Sequence, residues 1–215
     1  HKEYRRQRQM CIRDRLSLAA MLGARFFGLG DYGLVFKMIA STGFIAACIG
    51  AGGLETNYGR AVLVGLFFGW WGDLFLGLPG GWFIYGLVVF LLGHIAYCVA
   101  FGIYGLNLNW TLAGAAIVVA AVIGVSIWLG DATGNLRYPV YAYMLVISAM
   151  VALSIGARGN GASWWLVIGA VLFYVSDLFV ARQRFVAPGG INGLIGLPLY
   201  FAGQLVLAYT CKLVR

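Results

Sequence analysis

Residues 85–101 read YGLVVFLLGHIAYCVAF. Apart from His94 the stretch holds no side chain that is charged near neutral pH. Widened to 82–104, it is long enough to cross a bilayer, since a helix needs about 20 mostly apolar residues to span the hydrocarbon core. Six more stretches pass the same test: 33–52, 60–78, 108–129, 138–157, 162–181 and 191–211. An eighth, 16–30, is short, carries Arg25 and reads as the cut end of a first helix. The breaks between them have turn chemistry: Leu78-Pro79-Gly80-Gly81, Asn107-Leu108-Asn109, Gly130 to Pro139, Arg158-Gly159-Asn160-Gly161 and Pro188-Gly189-Gly190. Such short loops make neighbouring helices antiparallel and leave no room for a soluble domain. The expected fold is therefore an all-α, polytopic transmembrane bundle of about eight helices, seven clear and one partial, forming a single domain over 16–215.

Composition agrees. The chain has 215 residues, is 62% hydrophobic and only 10% charged, with a mean hydropathy of +0.88. Ordinary soluble domains are about 45–50% apolar and about 25% charged. Too few charges remain to cover a water-facing surface, which excludes a disordered chain, a coiled coil, a disulfide scaffold and a soluble enzyme. The 32 glycines suit close contact between membrane helices.

The formal charge of +8 misleads in part. Residues 1–15 carry six of the fifteen basic residues and two of the seven acids, and the remainder balances at +4. Gln9 to Arg15, QMCIRDR, looks like a translated sequencing adapter, so 1–15 reads as a non-native tail. No aromatic or groove-reading motif accompanies it, so nucleic acid is not an expected partner. Cys48, Cys98 and Cys211 lack CxxC or metal-ligand spacing and read as buried small hydrophobes. Basic residues fall on both sides of the bundle, leaving sidedness open.

Ionisable groups inside a membrane cost about 2.5–3.5 kcal/mol each on insertion scales, and the intramembrane candidates here are Asp73, His94 and Asp177. Asp73 lies about five residues, or about 8 Å, from the end of its span, and Asp177 about four residues, or about 6 Å, from the end of its own. The two spans run the same way, so both aspartates fall on one side of the membrane. Tyr141 and Tyr143 enter from that side, while His94 and Gln204 lie deeper. Together they outline a polar cavity open to one leaflet. A structural alternative pairs an aspartate with an arginine such as Arg137 or Arg182. One histidine outside the tail argues against a catalytic zinc site, which takes three protein ligands, mostly histidines. GxSxG and Walker A motifs are also missing from the sequence, and it carries no dinucleotide fingerprint of a strand leading through a glycine-rich turn into a helix. No metal or other cofactor is expected.

At these residues the chain resembles the YhhN-type lysoplasmalogenase family of eight-helix membrane proteins. Five motifs carry the resemblance in order. GLFFGWWGDLFLGLP holds Asp73. YGLVVFLLGHIAYCVAF holds His94 and Tyr97. PVYAYMLVISAM holds Tyr143. GAVLFYVSDLFVARQRF holds Ser176 and Asp177. LYFAGQLVLAY holds Tyr200 and Gln204. Where the family tends to have Lys-Pro near the start of its second helix, this chain has Lys37-Met38.

The resemblance implies an integral protein, expected in the bacterial inner (plasma) membrane. Its implied activity is cleavage of the vinyl ether bond of a lysophospholipid to a fatty aldehyde and a glycerophospho-ethanolamine or -choline. That chemistry suits the residues. A vinyl ether is cleaved by protonating its outer carbon, and water then adds to the oxocarbenium ion. This needs one acid and one base, and nearby carboxyls in an apolar setting divide into such a pair. Asp73 and Asp177 are the expected pair, in an order the sequence leaves open, with His94 and Tyr143 orienting them or the water. Tyr97, Tyr141, Ser176, Tyr200 and Gln204 are expected substrate contacts, and Arg137 or Arg182 the phosphate ligand. The competing classes are a proton-coupled transporter and a non-catalytic lipid-binding protein.

Overall fold

The computed structural model describes residues 30–214. It contains seven α-helices: α1 (Gly30–Gly50), α2 (Asn57–Gly77), α3 (Phe83–Tyr104), α4 (Leu108–Leu129), α5 (Arg137–Gly159), α6 (Trp164–Ala181) and α7 (Gly190–Thr210). Among the described residues there is no strand. Each of the seven clear spans coincides with one helix to within three residues. The tail at 1–15 and nearly all of the partial helix expected at 16–30 lie outside the described residues, so seven helices stand against the eight expected.

Among the described residues six apolar helical stretches are long enough to cross a membrane. The longest, Leu108–Gly159, contains both α4 and α5. These are separated by a 3-10 turn, Gly130–Leu136, opened by Gly130 at φ 48°. That left-handed conformation suits glycine and stops the helix. Elsewhere polar caps mark the helix starts. Thr56 accepts from the Gly59 N–H at 2.9 Å, Asn107 from Trp110 at 3.2 Å and Ser163 from Trp165 at 3.4 Å.

Six helices close into a ring in the order α1, α2, α3, α5, α6, α7, and α4 packs outside it against α5. Along α4 only Gly114, Val118 and Leu129 are buried, and Ile117, Val119, Ile123 and Ile127 are exposed. Such a surface suits lipid and makes the fold an integral membrane bundle. Inside the ring, Phe44, Leu66, Phe101, Met150, Leu166 and Leu207 are fully buried.

Lipid tails are as apolar as leucine, so packing and hydrogen bonds, rather than water exclusion, hold such helices together. Gly69 shows the packing term. A Cβ there would lie 2.5 Å from Gln204 Nε2, so the glycine lets α7 bring an amide against α2. At the far end of the bundle Cys48 and Cys211 meet, Sγ to Sγ 3.5 Å, a contact that their separation in sequence does not suggest.

Candidate active site

Asp73 sits in the last turns of α2 and is almost fully buried, at 1% exposure. Two helices send three donors to it. From α1, Lys37 Nζ lies 3.1 Å from Oδ1 and 3.1 Å from the Asp73 carbonyl oxygen. One turn further along α1, on the same face, the Ser41 hydroxyl donates to Oδ2. From α7, Tyr200 Oη donates to Oδ2 at 2.8 Å. Behind Tyr200, Gln204 Nε2 donates to its hydroxyl at 3.2 Å, and Tyr97 of α3 donates to Gln204 Oε1 at 2.5 Å. The carboxyl thus accepts two hydrogen bonds on Oδ2 and an ion pair on Oδ1, which leaves one lone-pair direction on Oδ1.

Asp177, near the end of α6, has a different set. Tyr143 Oη, from the second turn of α5, donates to Oδ2 at 2.5 Å. Ser176 Oγ reaches Oδ1 at 3.4 Å and donates to the Phe173 carbonyl at 2.7 Å. His94, fully buried on α3, places Nε2 2.8 Å from Tyr143 Oη and 3.6 Å from Asp177 Oδ2. Since Tyr143 gives its only proton to Asp177, His94 Nε2 must be the donor to Tyr143. The result is a directed chain from His94 through Tyr143 to Asp177. Nδ1 of His94 faces the Met150 sulfur at 3.3 Å.

Phe173 separates the two clusters. Its ring centroid is 4.6 Å from that of His94 and 5.1 Å from that of Tyr200. Both aspartates line one cavity of about 380 Å³ at the end of the bundle where α2 and α6 finish. Phe83, Leu87, Phe90, Phe179 and Leu197 give it apolar walls. Polar groups reach it from Lys37, Tyr143, Ser176, Arg184, Asn192 and Tyr200. Apolar walls with a few convergent polar groups are the usual form of a ligand site.

Of the residues singled out in the sequence, Asp73, Asp177, Tyr143, Ser176 and Tyr200 line this cavity. His94, Tyr97 and Gln204 stand behind them, each hydrogen-bonded to a member of the same network. Arg137, Tyr141 and Arg182 are not among the lining residues. The Arg137 guanidinium lies 5.6 Å from the Tyr141 ring centroid, and Arg182 donates to Asn192 Oδ1 at 2.6 Å. The arginine partners considered for the aspartates are not the ones present: Asp73 pairs with Lys37.

Lys37, Ser41 and Arg184 are the members that sequence reasoning missed. The spacing of Lys37 and Ser41, four residues apart on one apolar helix, was the available signal. Among the described residues no three His, Cys, Asp or Glu side chains are grouped to hold a metal ion.

These features define a class: an integral membrane helical bundle with two carboxyls, differently partnered, facing one largely apolar cavity. The chain belongs to the YhhN family, whose model matches residues 32–211. It is 31% identical over 154 residues to the lysoplasmalogenase TMEM86A of Bos taurus, covering 68% of this chain and 63% of that protein. The human lysoplasmalogenase TMEM86A is also 31% identical, over 156 residues, with the same coverage. The lysoplasmalogenase of Mycobacterium tuberculosis is 30% identical over 138 residues, covering 61% of this chain and 51% of that protein. The matched region thus spans between half and two thirds of these relatives. No solved structure matches the chain.

Proposed function

We propose that this chain is a membrane-embedded hydrolase that cleaves the vinyl ether bond of lysoplasmalogens, releasing a fatty aldehyde and a glycerophospho-ethanolamine or -choline. The observation that carries the reading is the convergence of Asp73 and Asp177 on one cavity with opposite kinds of partner. The family and the names of the relatives support it. The membrane we propose is the bacterial inner (plasma) membrane, in keeping with an all-helical bundle rather than a barrel.

Asp177 is the acid in this mechanism. It ends a relay in which His94, entering as the imidazolium, gives its Nε2 proton to Tyr143 as Tyr143 gives its own to Asp177, leaving a neutral imidazole. The protonated carboxyl then transfers that proton to the outer carbon of the vinyl ether, forming the new C–H bond and an oxocarbenium ion. Asp73, held by Lys37, Ser41 and Tyr200, is the carboxylate. It offsets the cation, and its free Oδ1 direction accepts a proton as water adds to the oxocarbenium carbon. The resulting hemiacetal breaks its carbon–oxygen bond to the glycerol: Asp73 passes the proton it took from water to the glycerol oxygen, and Asp177 takes the hemiacetal hydroxyl proton as the aldehyde leaves, so both carboxyls return to their starting states. Division of labour between two carboxyls around an oxocarbenium-like state is the same logic that serves glycoside hydrolysis. The apolar walls keep bulk water from competing for the charges.

The test is aldehyde release by purified protein across a panel of vinyl-ether, ester and saturated alkyl-ether lysolipids. The reading expects turnover of the vinyl ethers alone. Release of fatty acid from the ester, or silence on every lysolipid, contradicts it.

A further inference from the structure

We infer that Arg184 holds the phosphate of a single-chain phospholipid at the mouth of the cavity. The inference rests on the hydrolase reading for the identity of the lipid, but its test does not need hydrolysis. Arg184 lines the cavity and is exposed. Its guanidinium lies 4.8 Å from the Phe83 ring centroid, so one face of the fork rests on an aromatic wall while its N–H edges stay available. The two aspartates on the cavity pair with Lys37 and His94. Arg184 is in neither pair, which leaves an unneutralised cation on a cavity that already holds two carboxyls.

The turn that carries Arg184 is fastened down. Arg182, two residues earlier, is committed to Asn192 Oδ1 at 2.6 Å. Asn192 is buried at 3% exposure. Its Nδ2 donates to Gln183 Oε1 at 2.7 Å and to the Ala187 carbonyl at 2.8 Å. Gln183 Oε1 also accepts from the Gly189 N–H at 2.8 Å. These bonds tie the segment after α6 to the start of α7 and engage the side chains of Arg182 and Gln183 but not that of Arg184. Two arginines two residues apart therefore have separate tasks, one fixing the turn and one facing the cavity.

A guanidinium is permanently charged, and its planar fork matches the oxygens of a phosphate. Asp177 and Arg184 are seven residues apart, about 10 Å along a helix axis. An arginine side chain and a glycerophosphate together bridge that distance. With the phosphate at the mouth, the three glycerol carbons place the ether bond inward, toward the aspartates. The site would thus distinguish a lysophospholipid from a neutral ether glycerol of the same chain length.

The experiment measures binding to the full chain in a neutral detergent. Its probes are a saturated 1-O-alkyl lysophosphatidylethanolamine and the 1-O-alkylglycerol of equal chain length, neither of which has a vinyl ether to cleave. Wild-type protein is expected to bind the phospholipid at least about tenfold more tightly, as a charge-assisted contact implies. Arg184→Gln is expected to abolish that preference while still binding the alkylglycerol as wild type does, and Arg184→Lys to keep part of it. Arg60→Gln, which removes the same charge at the other end of α2, should leave it intact. A full preference surviving in Arg184→Gln, or no preference in wild type, overturns the proposal. Inorganic phosphate is expected not to displace the lipid. Displacement that depends on Arg184 would mark a site for the free anion and overturn the lipid assignment. Wild-type protein that binds through Arg184 yet releases no aldehyde from vinyl-ether lysolipids would remove the hydrolase reading and leave the phosphate site standing.

Discussion

Asp73 and Asp177 belong to the same residue type at the same depth, and their neighbours make them different reagents. Tyr143 is the link that a single atom can break. Tyr143→Phe removes the hydroxyl between His94 and Asp177 while keeping the ring. The expected result is a fall in kcat of about 10²-fold, within the range of general acid–base effects, with KM little changed. Unchanged kcat would show that Asp177 does not draw protons through Tyr143.

Lys37 offers a separate test, of charge pairing. Removing one partner of a buried pair leaves an uncompensated charge and costs about 3–5 kcal/mol, and the side chains of Lys37 and Asp73 are 14% and 2% exposed. Lys37→Met should therefore lower the melting temperature in detergent. Adding Asp73→Asn should restore stability but not activity. Restored activity in the double variant would reduce the pair to a structural role. The sequence made Asp73 conspicuous because a carboxyl in an apolar run needs a reason. It did not identify Lys37 as the partner, because a pairing 36 residues apart depends on how α1 is rotated against α2, which the four-residue spacing of Lys37 and Ser41 does not encode.

At the scale of elements, the helices were legible because their signals are local. Apolar length set the spans, while the caps Thr56, Asn107 and Ser163, which fix three of the starts, were not part of that reading. The turn after α6 was not legible in the same way. Its composition, RQRFVAPGG from Arg182 to Gly190, puts two arginines at the membrane edge. Which one faces the cavity is decided by Asn192 in the next helix.

Helix approach is the other non-local feature. Gln204 can reach Tyr200 and Tyr97 only because Gly69 leaves room for its amide. Both ends of that amide are held, so it has little freedom to move aside. Gly69→Ala should thus destabilise the protein by about 1–3 kcal/mol, the usual cost of overpacking, read as a lower melting temperature in detergent. An unchanged melting temperature would show that the α2–α7 contact is looser than its geometry implies.

For the whole molecule, the closed ring of six helices explains why five motifs scattered from α2 to α7 act in one place. α2 and α6 end, and α3, α5 and α7 begin, at the same face of the bundle. Antiparallel order, readable from short loops, therefore collected the polar residues at one end before any packing detail was known. The outlying position of α4 was not readable, because its span is as apolar as those of the ring and only contacts distinguish it.

The central claim is that Asp73 and Asp177 work as one catalytic unit within this ring. The most direct measurement is aldehyde release from a vinyl-ether lysolipid by purified wild type, Asp73→Asn, Asp177→Asn and the double variant, each normalised to folded protein. Each single change is expected to remove at least about 10²-fold of the rate. The double should be little worse than either single, as coupled catalytic groups are non-additive. Near-normal turnover in both single variants, or losses that only follow a fall in melting temperature, would contradict the claim.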